Sequence, residues 1–390
     1  MPTPTLNIGL IGTGFMGQAH ADAYRRAAML YPNLPAIPQI FAVADATQAL
    51  ADKAATRFGA TKAYDDWRAL INDPQVDVVD ITTPNTLHFD MAMAAIEAGK
   101  HVYCEKPLAV TLTEARQMTE AARKRGVKTC VAFNNIKTPA AMLAKQLIER
   151  GDIGTPIRFR GTFDQGFFCD PQLPWSWRCS RTQAGSGSLG DLGSHVISVA
   201  QYLMGGIERV CAQSQTFFPS RPVPGSGSGY GSKVDAAQAE MREVENEDQL
   251  QCLVQFDSGA GGVIESSRVA AGKIFGMSWE ISGTQGTLIN DGERFNELQL
   301  FRFSDPKPDR GFKTLYAGSQ VPQYSAFFGF DFGGGGLGYF DIKVIEVHDL
   351  IMGITGAGDC YPNFDFGLQN QQIIEAMEQS IQQDGWTAVE

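Results

Sequence analysis

Hydrophobic and polar residues alternate along the first third of the chain as they do in strands joined by helices. The apolar runs are short and almost continuous, which predicts strands covered on both faces. These predicted strands are Leu6–Ile11, Ile40–Ala44, Val76–Ile81, His101–Cys104 and Thr129–Phe133. Helical periodicity predicts the helices Gln48–Phe58, Phe89–Ala98 and Leu112–Arg125 between them. Residues 1–135 are therefore predicted to form an α/β domain with a parallel sheet.

The pattern changes after about residue 135. One helix is predicted over Pro139–Arg150, and the β-type segments that follow have few helices between them. These segments are Ile157–Phe163, Arg209–Phe217, Gln249–Phe256, Gly261–Arg268, Met277–Ser282 and Leu298–Phe303. The later predicted helices are Ser194–Met204, Lys343–Met352 and Leu368–Gln383. Residues 136–390 are predicted to form an α+β domain with an open, largely antiparallel sheet. Pro219–Ser232 and Gly333–Gly336 are predicted loops, because glycine and proline dominate them.

Charge and cysteine usage exclude several classes of protein. The net charge is -11 and no Lys/Arg cluster occurs, so no nucleic-acid partner is expected. No apolar window is long enough for a membrane span, and the first residues do not resemble a secretory signal. The 7 cysteines are scattered without C-x-x-C spacing. We therefore expect a cytoplasmic protein with reduced thiols, no membrane association and no metal site.

A glycine turn follows the first predicted strand and opens a helix. Gly12, Gly14 and Gly17 have the spacing G-x-G-x-x-G in the context that dinucleotide binding requires. Gly12 permits the tight turn, Gly14 lets the backbone approach a pyrophosphate, and Gly17 allows close packing. Phe15 and Met16 lie at the predicted helix N-terminus, which favours an anion. The turn predicts a Rossmann domain that binds NAD or NADP; a glycine turn without a ligand is the alternative.

An acidic residue ends the second predicted strand. Asp45 is placed where a carboxylate accepts hydrogen bonds from the adenosine ribose hydroxyls. Ala46 and Thr47 follow it, and no arginine is nearby to pair with a 2′-phosphate. We therefore expect NAD to be preferred and NADP to be less favoured.

Three further polar motifs stand at predicted strand ends or at the start of a predicted helix. They are Thr82-Thr83-Pro84-Asn85 with His88, Glu105-Lys106-Pro107, and Asp191 with His195 four residues later. In this order and spacing, together with the glycine turn, they resemble the Gfo/Idh/MocA oxidoreductase family over nearly the whole chain. The resemblance implies that Lys106 is the catalytic lysine and that Asp191 and His195 are the catalytic acid–histidine pair. It also implies assembly into dimers or tetramers.

The resemblance extends to the binding residues. The predicted cofactor-binding set is Gly12, Gly14, Phe15, Met16, Gly17, Asp45, Thr83, Pro84, Asn85, His88, Glu105, Lys106 and Asn134. The predicted substrate-binding set is Lys106, Asn135, Gln165, Arg178, Asp191 and His195. His20 is assigned no function. Trp175 and Trp177 fit either core packing or a sugar platform.

The chemistry fits oxidation of a secondary alcohol. A histidine can take the hydroxyl proton while a carboxylate orients it, and a lysine ammonium can stabilise the developing alkoxide. The roles of Lys106 and His195 can be exchanged in this scheme, and an isolated Asp191 also fits a helix N-cap.

Four segments resemble the inositol, levoglucosan and related pyranose dehydrogenases of the family: Leu173–Arg178, Ala184–Asp191, Asn296–Leu298 and Gly338–Val347. The expected function is oxidation of a ring secondary hydroxyl of a neutral cyclic polyol or pyranose. An NAD-dependent glycosidase and a non-catalytic sugar or redox sensor are the alternatives.

Overall fold

The computed structural model describes residues 3–224, 239–328, 330 and 336–390. Parts of the two predicted loops, residues 225–232 and 333–335, lie outside the described residues. The strands, numbered in chain order, are β1 (Thr5–Ile11), β2 (Ile37–Ala44), β3 (Lys62–Tyr64), β4 (Val78–Ile81), β5 (His101–Cys104), β6 (Thr129–Val131), β7 (Pro156–Asp164), β8 (Ile207–Gln215), β9 (Ser220–Pro222), β10 (Met241–Glu243), β11 (Gln249–Phe256), β12 (Gly261–Ser267), β13 (Gly276–Gly283), β14 (Gly286–Asp291), β15 (Glu297–Arg302), β16 (Lys313–Tyr316) and β17 (Thr387–Ala388). The helices are α1 (Phe15–Leu30), α2 (Gln48–Phe58), α3 (Trp67–Ile71), α4 (His88–Glu97), α5 (Leu112–Arg125), α6 (Pro139–Glu149), α7 (Arg181–Ala184), α8 (Ser194–Met204), α9 (Tyr339–Ile354) and α10 (Phe364–Gln383).

The chain divides into two compact units. The first comprises Met1–Lys137 and Gly318–Gln371, and the second comprises Thr138–Ala317 and Gln372–Glu390. The division after Lys137 lies close to the predicted boundary at 135, but the segment with α9 belongs to the first unit instead of the second domain. The reason is hydrophobic: Val344 and Val347 of α9 share a buried core cluster with Tyr24 of α1. Periodicity predicted the helix but not the sheet that it covers.

The first unit is built on a six-stranded parallel sheet in the order β3-β2-β1-β4-β5-β6. Its helices bury nearly continuous apolar strands, as the sequence predicted. The short strand β3 was not predicted. Because all the strands run parallel, their carboxyl ends meet at one edge of the sheet, which is where ligands bind in open α/β folds.

The second unit is built on a nine-stranded sheet in the order β16-β15-β14-β13-β7-β12-β11-β8-β17. Only β7 and β12 pair in parallel among the described strands of this sheet, and the other neighbours are antiparallel. A separate antiparallel pair is formed by β9 and β10. The prediction of a Rossmann domain plus an α+β domain with a largely antiparallel sheet is confirmed.

The two faces of the larger sheet differ in burial. Along β7, Phe159 and Phe163 are buried, and α8 packs on this strand. Arg158 and Arg160 alternate with them and are exposed. Strand alternation therefore leaves the face with these arginines open within the chain.

Candidate active site

The glycine turn joins β1 to α1 with the geometry that the sequence predicted. Gly12 has φ +89°, and a Cβ at this position would lie 2.8 Å from the Thr82 carbonyl oxygen. A Cβ on Gly17 would lie 2.2 Å from the Gly12 carbonyl oxygen. A Cβ on Gly14 would meet nothing within 4 Å, so open space remains above the backbone there. This open cradle lies at the helix N-terminus, where backbone N–H groups favour a phosphate.

Asp45 lies against the same turn. Its Oδ2 accepts a hydrogen bond from the Thr13 backbone N–H at 3.0 Å and another from the Thr13 hydroxyl. Its Oδ1 accepts from the Ala46 backbone N–H at 2.7 Å. The carboxylate is half-buried and is therefore held beside the turn in one orientation. This placement suits contact with an adenosine ribose.

The Thr83 and Pro107 loops are joined by a buried histidine. The His88 ring places Nδ1 2.9 Å from the Pro107 carbonyl oxygen and Nε2 3.0 Å from the Thr83 carbonyl oxygen. Burial lowers the pKa of His88, and the two carbonyl contacts oppose that shift. Both ring nitrogens face protein atoms. His88 therefore holds these two loops together, and one of them continues through Pro84 into the helical turn that begins at Asn85.

A buried network that the sequence interpretation missed lies behind Lys106. Glu105 Oε1 lies 3.0 Å from His20 Nε2 and accepts a hydrogen bond from Lys343 Nζ at 2.9 Å. Its other oxygen, Oε2, accepts from the Lys106 backbone N–H at 3.1 Å. On its other side, the His20 Nδ1 atom lies 2.9 Å from Asp80 Oδ1. Glu105 is therefore held by protein groups on both oxygens.

The charged groups of this network shift one another's pKa values. Burial alone raises the pKa of Glu105, but Lys343 and His20 hold it well below its ordinary value. Burial alone lowers the pKa of His20, but Asp80 and Glu105 raise it to about 9. Glu346, which accepts from the Tyr103 hydroxyl at 2.6 Å, has a raised pKa because it is fully buried. At neutral pH, Glu105 is thus a carboxylate between two cations.

A sequence signal for the network existed but was weak. His20 lies one helical turn after Gly17, on the buried face of α1. Lys343 and Glu346 are spaced i, i+3 within the otherwise apolar buried positions of α9. Charged residues are rarely buried without partners. Their positions therefore indicated a buried ion cluster, although not which residues complete it.

Two asparagines follow β6 at the carboxyl edge of the sheet. Asn134 and Asn135 are only 1% and 3% exposed. The Oδ1 atom of Asn135 is buried and has no hydrogen-bond partner among the described residues. A buried amide oxygen is costly when it is unsatisfied, so this atom fits a site completed by a ligand. The Asn134 side chain lies beside the hydroxyl of Tyr339.

In the second unit, Asp191 and His195 lie on one continuous helical segment. A π-helical turn over Leu189–Gly193 runs directly into α8, so Asp191 lies inside a turn. The alternative of Asp191 as an N-cap is wrong, because helical backbone extends on both sides of it. His195 is 6% exposed, and its ring packs edge-on against Phe163 at 5.8 Å. π-Helical turns are frequent at functional sites.

Glu247 fixes the backbone that precedes this turn. Its Oε1 accepts hydrogen bonds from the Gly187 and Leu189 backbone N–H groups, both at 2.8 Å. A Cβ on Gly187 would lie 1.9 Å from the Glu247 carbonyl oxygen, so only glycine allows this approach. Glu247, a carboxylate that no motif identified, therefore anchors the backbone at the start of the turn that contains Asp191.

Arg178 lies close to Asp191. The Arg178 Nε atom is 3.9 Å from Asp191 Oδ2, and its guanidinium stacks 4.5 Å above the Trp177 ring. The Arg178 carbonyl oxygen accepts from Asn246 Nδ2 at 3.0 Å. The structure therefore brings two of the predicted substrate residues together, and Asn246 anchors the segment that carries Arg178.

The other candidates of this region have mainly structural contacts. Gln165 is half-buried, and its backbone N–H donates to the Ser267 carbonyl oxygen at 2.8 Å. The Trp175 indole N–H donates to the Glu243 carbonyl oxygen at 2.9 Å, and Arg242 covers the ring at 3.8 Å. These contacts favour packing over a sugar platform for Trp175.

Two kinds of feature, metal-binding clusters and membrane-spanning helices, are absent from the described parts of the chain. No group of three or more His, Cys, Asp or Glu side chains is arranged there to hold a metal ion. None of the helices described is both long enough and apolar enough to cross a membrane.

Comparison with known proteins agrees with this geometry. The profile described as the Gfo/Idh/MocA oxidoreductase family, NAD-binding Rossmann fold, matches residues 6–133, and the Gfo/Idh/MocA C-terminal domain matches residues 142–289. Levoglucosan dehydrogenase from Pseudarthrobacter phenanthrenivorans is 41% identical over 98% of this chain and 98% of its own length. An NAD binding oxidoreductase from Klebsiella pneumoniae is 68% identical, with a TM-score of 0.94 and 99% coverage of both chains. A levoglucosan dehydrogenase in complex with NADH and levoglucosan is 40% identical, with a TM-score of 0.92 and 99% coverage of both chains.

The fold and the glycine cradle define an NAD-binding oxidoreductase with a Rossmann domain. The chain belongs to the Gfo/Idh/MocA family. The predictions of the family, of an oxidoreductase and of NAD as the cofactor are confirmed.

Proposed function

We propose that this protein is an NAD-dependent dehydrogenase that oxidises a ring secondary hydroxyl of a neutral cyclic polyol or pyranose. One observation carries the proposal. Lys106 lies two residues beyond the last residue of β5, and the glycine turn directly follows β1, so both stand at the carboxyl edge of one parallel sheet. An alkoxide-stabilising cation and a dinucleotide cradle on the same edge suit hydride transfer from an alcohol carbon.

The first unit offers the groups that would hold NAD. The Gly14 cradle and the start of α1 suit the pyrophosphate, and Asp45 suits the adenosine ribose hydroxyls. Bound NAD supplies the acceptor for the hydride. Because Glu105 fixes the Lys106 peptide, the lysine is presented from a rigid loop instead of a mobile one.

Acid–base chemistry is assigned to three residues. His195 accepts the hydroxyl proton of the substrate while the hydride leaves the same carbon, and Asp191 orients the histidine. The Lys106 ammonium stabilises the alkoxide. An exchange of roles between Lys106 and His195 is compatible with the same proton balance.

The charge around Arg178 supports a neutral substrate. Arg178 lies near Asp191, and Arg181 Nη2 lies 3.0 Å from Glu378 Oε1. Arg178 and Arg181 are thus each offset by a carboxylate, whereas a phosphate needs convergent cations. The relative named levoglucosan dehydrogenase makes this anhydro sugar the first candidate within the pyranose class.

A matched-pair substrate screen tests the function. NADH formation is measured with levoglucosan, glucose, glucose 6-phosphate, inositol and inositol phosphate, using NAD and NADP. The proposal predicts turnover of uncharged members with NAD. Clearly faster turnover of the phosphorylated member of each pair would contradict the substrate class and leave the family intact.

We also propose a homo-oligomer, a tetramer or a dimer, that acts in the cytoplasm. The open sheet face with Arg158 and Arg160 supports self-association, because such a face is usually covered. The 7 cysteines are all free thiols, as expected in a reducing compartment. A monomer in light scattering at micromolar concentration would contradict the oligomer.

A further inference from the structure

Charges alternate through the core of the first unit. Asp80, His20, Glu105 and Lys343 form a line in which each neighbour has the opposite charge, with contacts of 2.9, 3.0 and 2.9 Å. Lys343 also lies 3.1 Å from Glu346. The side chains of His20, Asp80, Lys343 and Glu346 are at most 1% exposed. Water therefore contributes little to the placement of these groups, and the protein contacts determine it.

The two cations converge on a single oxygen of Glu105. His20 and Lys343 both contact Oε1, which leaves Oε2 to accept the backbone N–H of Lys106. Two donors on one oxygen fix the side-chain rotamer and keep the group ionised. The second oxygen is then a charged acceptor at a fixed position, and it holds the peptide from which the Lys106 side chain extends.

We propose that His20 and Lys343 are positioning residues for the catalytic lysine and act through Glu105. Lys343 belongs to α9 and His20 to α1, so two helices secure one loop of the sheet edge. The inference rests on the proposed role of Lys106 and goes beyond it, since neither His20 nor Lys343 was assigned a function. A displacement of about 1 Å in a reacting group can reduce turnover about 100-fold.

The test compares Lys343→Met with Lys343→Arg, using NAD and the best neutral substrate of the screen. Lys343→Met is expected to lower kcat about 10- to 100-fold, while KM and the Kd for NADH change less than about threefold. Lys343→Arg retains a cation and is expected to restore most of kcat. His20→Gln loses the charge of the ring but keeps a hydrogen-bond donor. Its kcat is expected to lie between those of Lys343→Met and Lys343→Arg.

A matched control and a double variant separate positioning from general stability. Lys62 lies on the edge strand β3 and pairs with buried Asp73 at 2.6 Å. The control variant Lys62→Met removes this lysine and is expected to keep wild-type kcat. The double variant Glu105→Gln/Lys343→Met removes both charges of one pair. The thermal stability of the double variant is expected to be higher than that of Lys343→Met. Its kcat is expected to stay low, because the charged acceptor for the Lys106 peptide is lost.

The outcomes separate the positioning role of His20 and Lys343 from the proposed catalytic role of Lys106. Wild-type kcat in Lys343→Met, or recovery of kcat together with stability in the double variant, would overturn the positioning role. Wild-type kcat in Lys106→Met would instead overturn the proposed role of the lysine itself. Low kcat in Lys106→Met, Lys343→Met and the double variant, with intact NADH binding, supports both.

Discussion

Glu105 and Lys343 lie 238 positions apart in the chain, and their side chains meet at 2.9 Å in the core of the NAD-binding unit. The contact shows that α9 completes the unit that the N-terminal sequence begins. A carboxylate beside the proposed catalytic lysine is thus held by a residue from the last quarter of the chain.

The glycine cradle predicts different effects for two similar substitutions. Gly14→Ala adds a methyl group to open space, so the free energy of unfolding should change by less than about 1 kcal/mol. The Kd for NADH should rise about tenfold or more, because the methyl group fills the phosphate cradle. Gly17→Ala should destabilise the protein by about 1–3 kcal/mol, because its Cβ would lie 2.2 Å from a carbonyl oxygen. Calorimetry and NADH fluorescence measure the two effects. An unchanged Kd for Gly14→Ala would place the pyrophosphate elsewhere.

Asp45 should determine the choice between NAD and NADP. Its carboxylate is held beside the turn by Thr13, where it would repel a 2′-phosphate. The kcat/KM for NAD should exceed that for NADP by about 100-fold, and Asp45→Ser should narrow the ratio about tenfold or more. Steady-state kinetics with both dinucleotides checks this. A higher kcat/KM for NADP in the wild type would refute it.

Lys106→Ala and His195→Ala should each lower kcat by about 10²- to 10⁴-fold, as is typical for lost acid–base groups. The Kd for NADH should remain within a few-fold of the wild type, because neither change fills the glycine cradle. Ser214→Ala, on β8 of the second unit, serves as a neutral control. Near wild-type turnover in either variant would remove that residue from the mechanism.

His20 should make stability fall at alkaline pH. Burial lowers its pKa and Lys343 acts in the same direction, but Asp80 and Glu105 raise it to about 9 from the ordinary 6.5. Because the folded pKa is the higher one, the protonated ring stabilises the fold fully below about pH 6.5. This contribution, on the order of 3 kcal/mol, is lost as pH rises through about 9.

Denaturant unfolding of the wild type and His20→Gln between pH 6 and 10 measures this contribution. The difference between their unfolding free energies should shrink as pH rises. A constant difference across this range would show that His20 is not protonated in the folded protein.

Sequence patterns predicted much of the fold because they report burial. The boundaries of α2, α5, α8 and β11 match the predicted segments. At α2 and α5, the side chains of Thr47 and Thr111 cap the first turn where the apolar periodicity begins. Strands β14 and β16 were missed because polar and glycine residues interrupt their apolar alternation. The placement of α9 was missed because an apolar helix face does not identify its partner.

The site was only partly predictable for a related reason. Local spacing predicted the glycine turn and Asp45, and the family resemblance predicted Lys106; the structure places all three next to the ends of strands of the parallel sheet. His20, Lys343 and Glu247 act through contacts between distant segments, which spacing does not encode. The π-helical turn at Asp191 was also missed, because no single residue marks it.

Hydride transfer from a ring carbon to NAD defines the proposed function, and an isotope experiment follows this hydride. The protein is incubated with NAD and levoglucosan deuterated at its ring carbons, and the reduced dinucleotide is analysed by mass spectrometry. Each NADH formed should carry one deuterium, and the rate should be lower than with unlabelled sugar. Consumption of the sugar without net formation of deuterated NADH, or no reaction with any cyclic polyol or pyranose in the same assay, would contradict it.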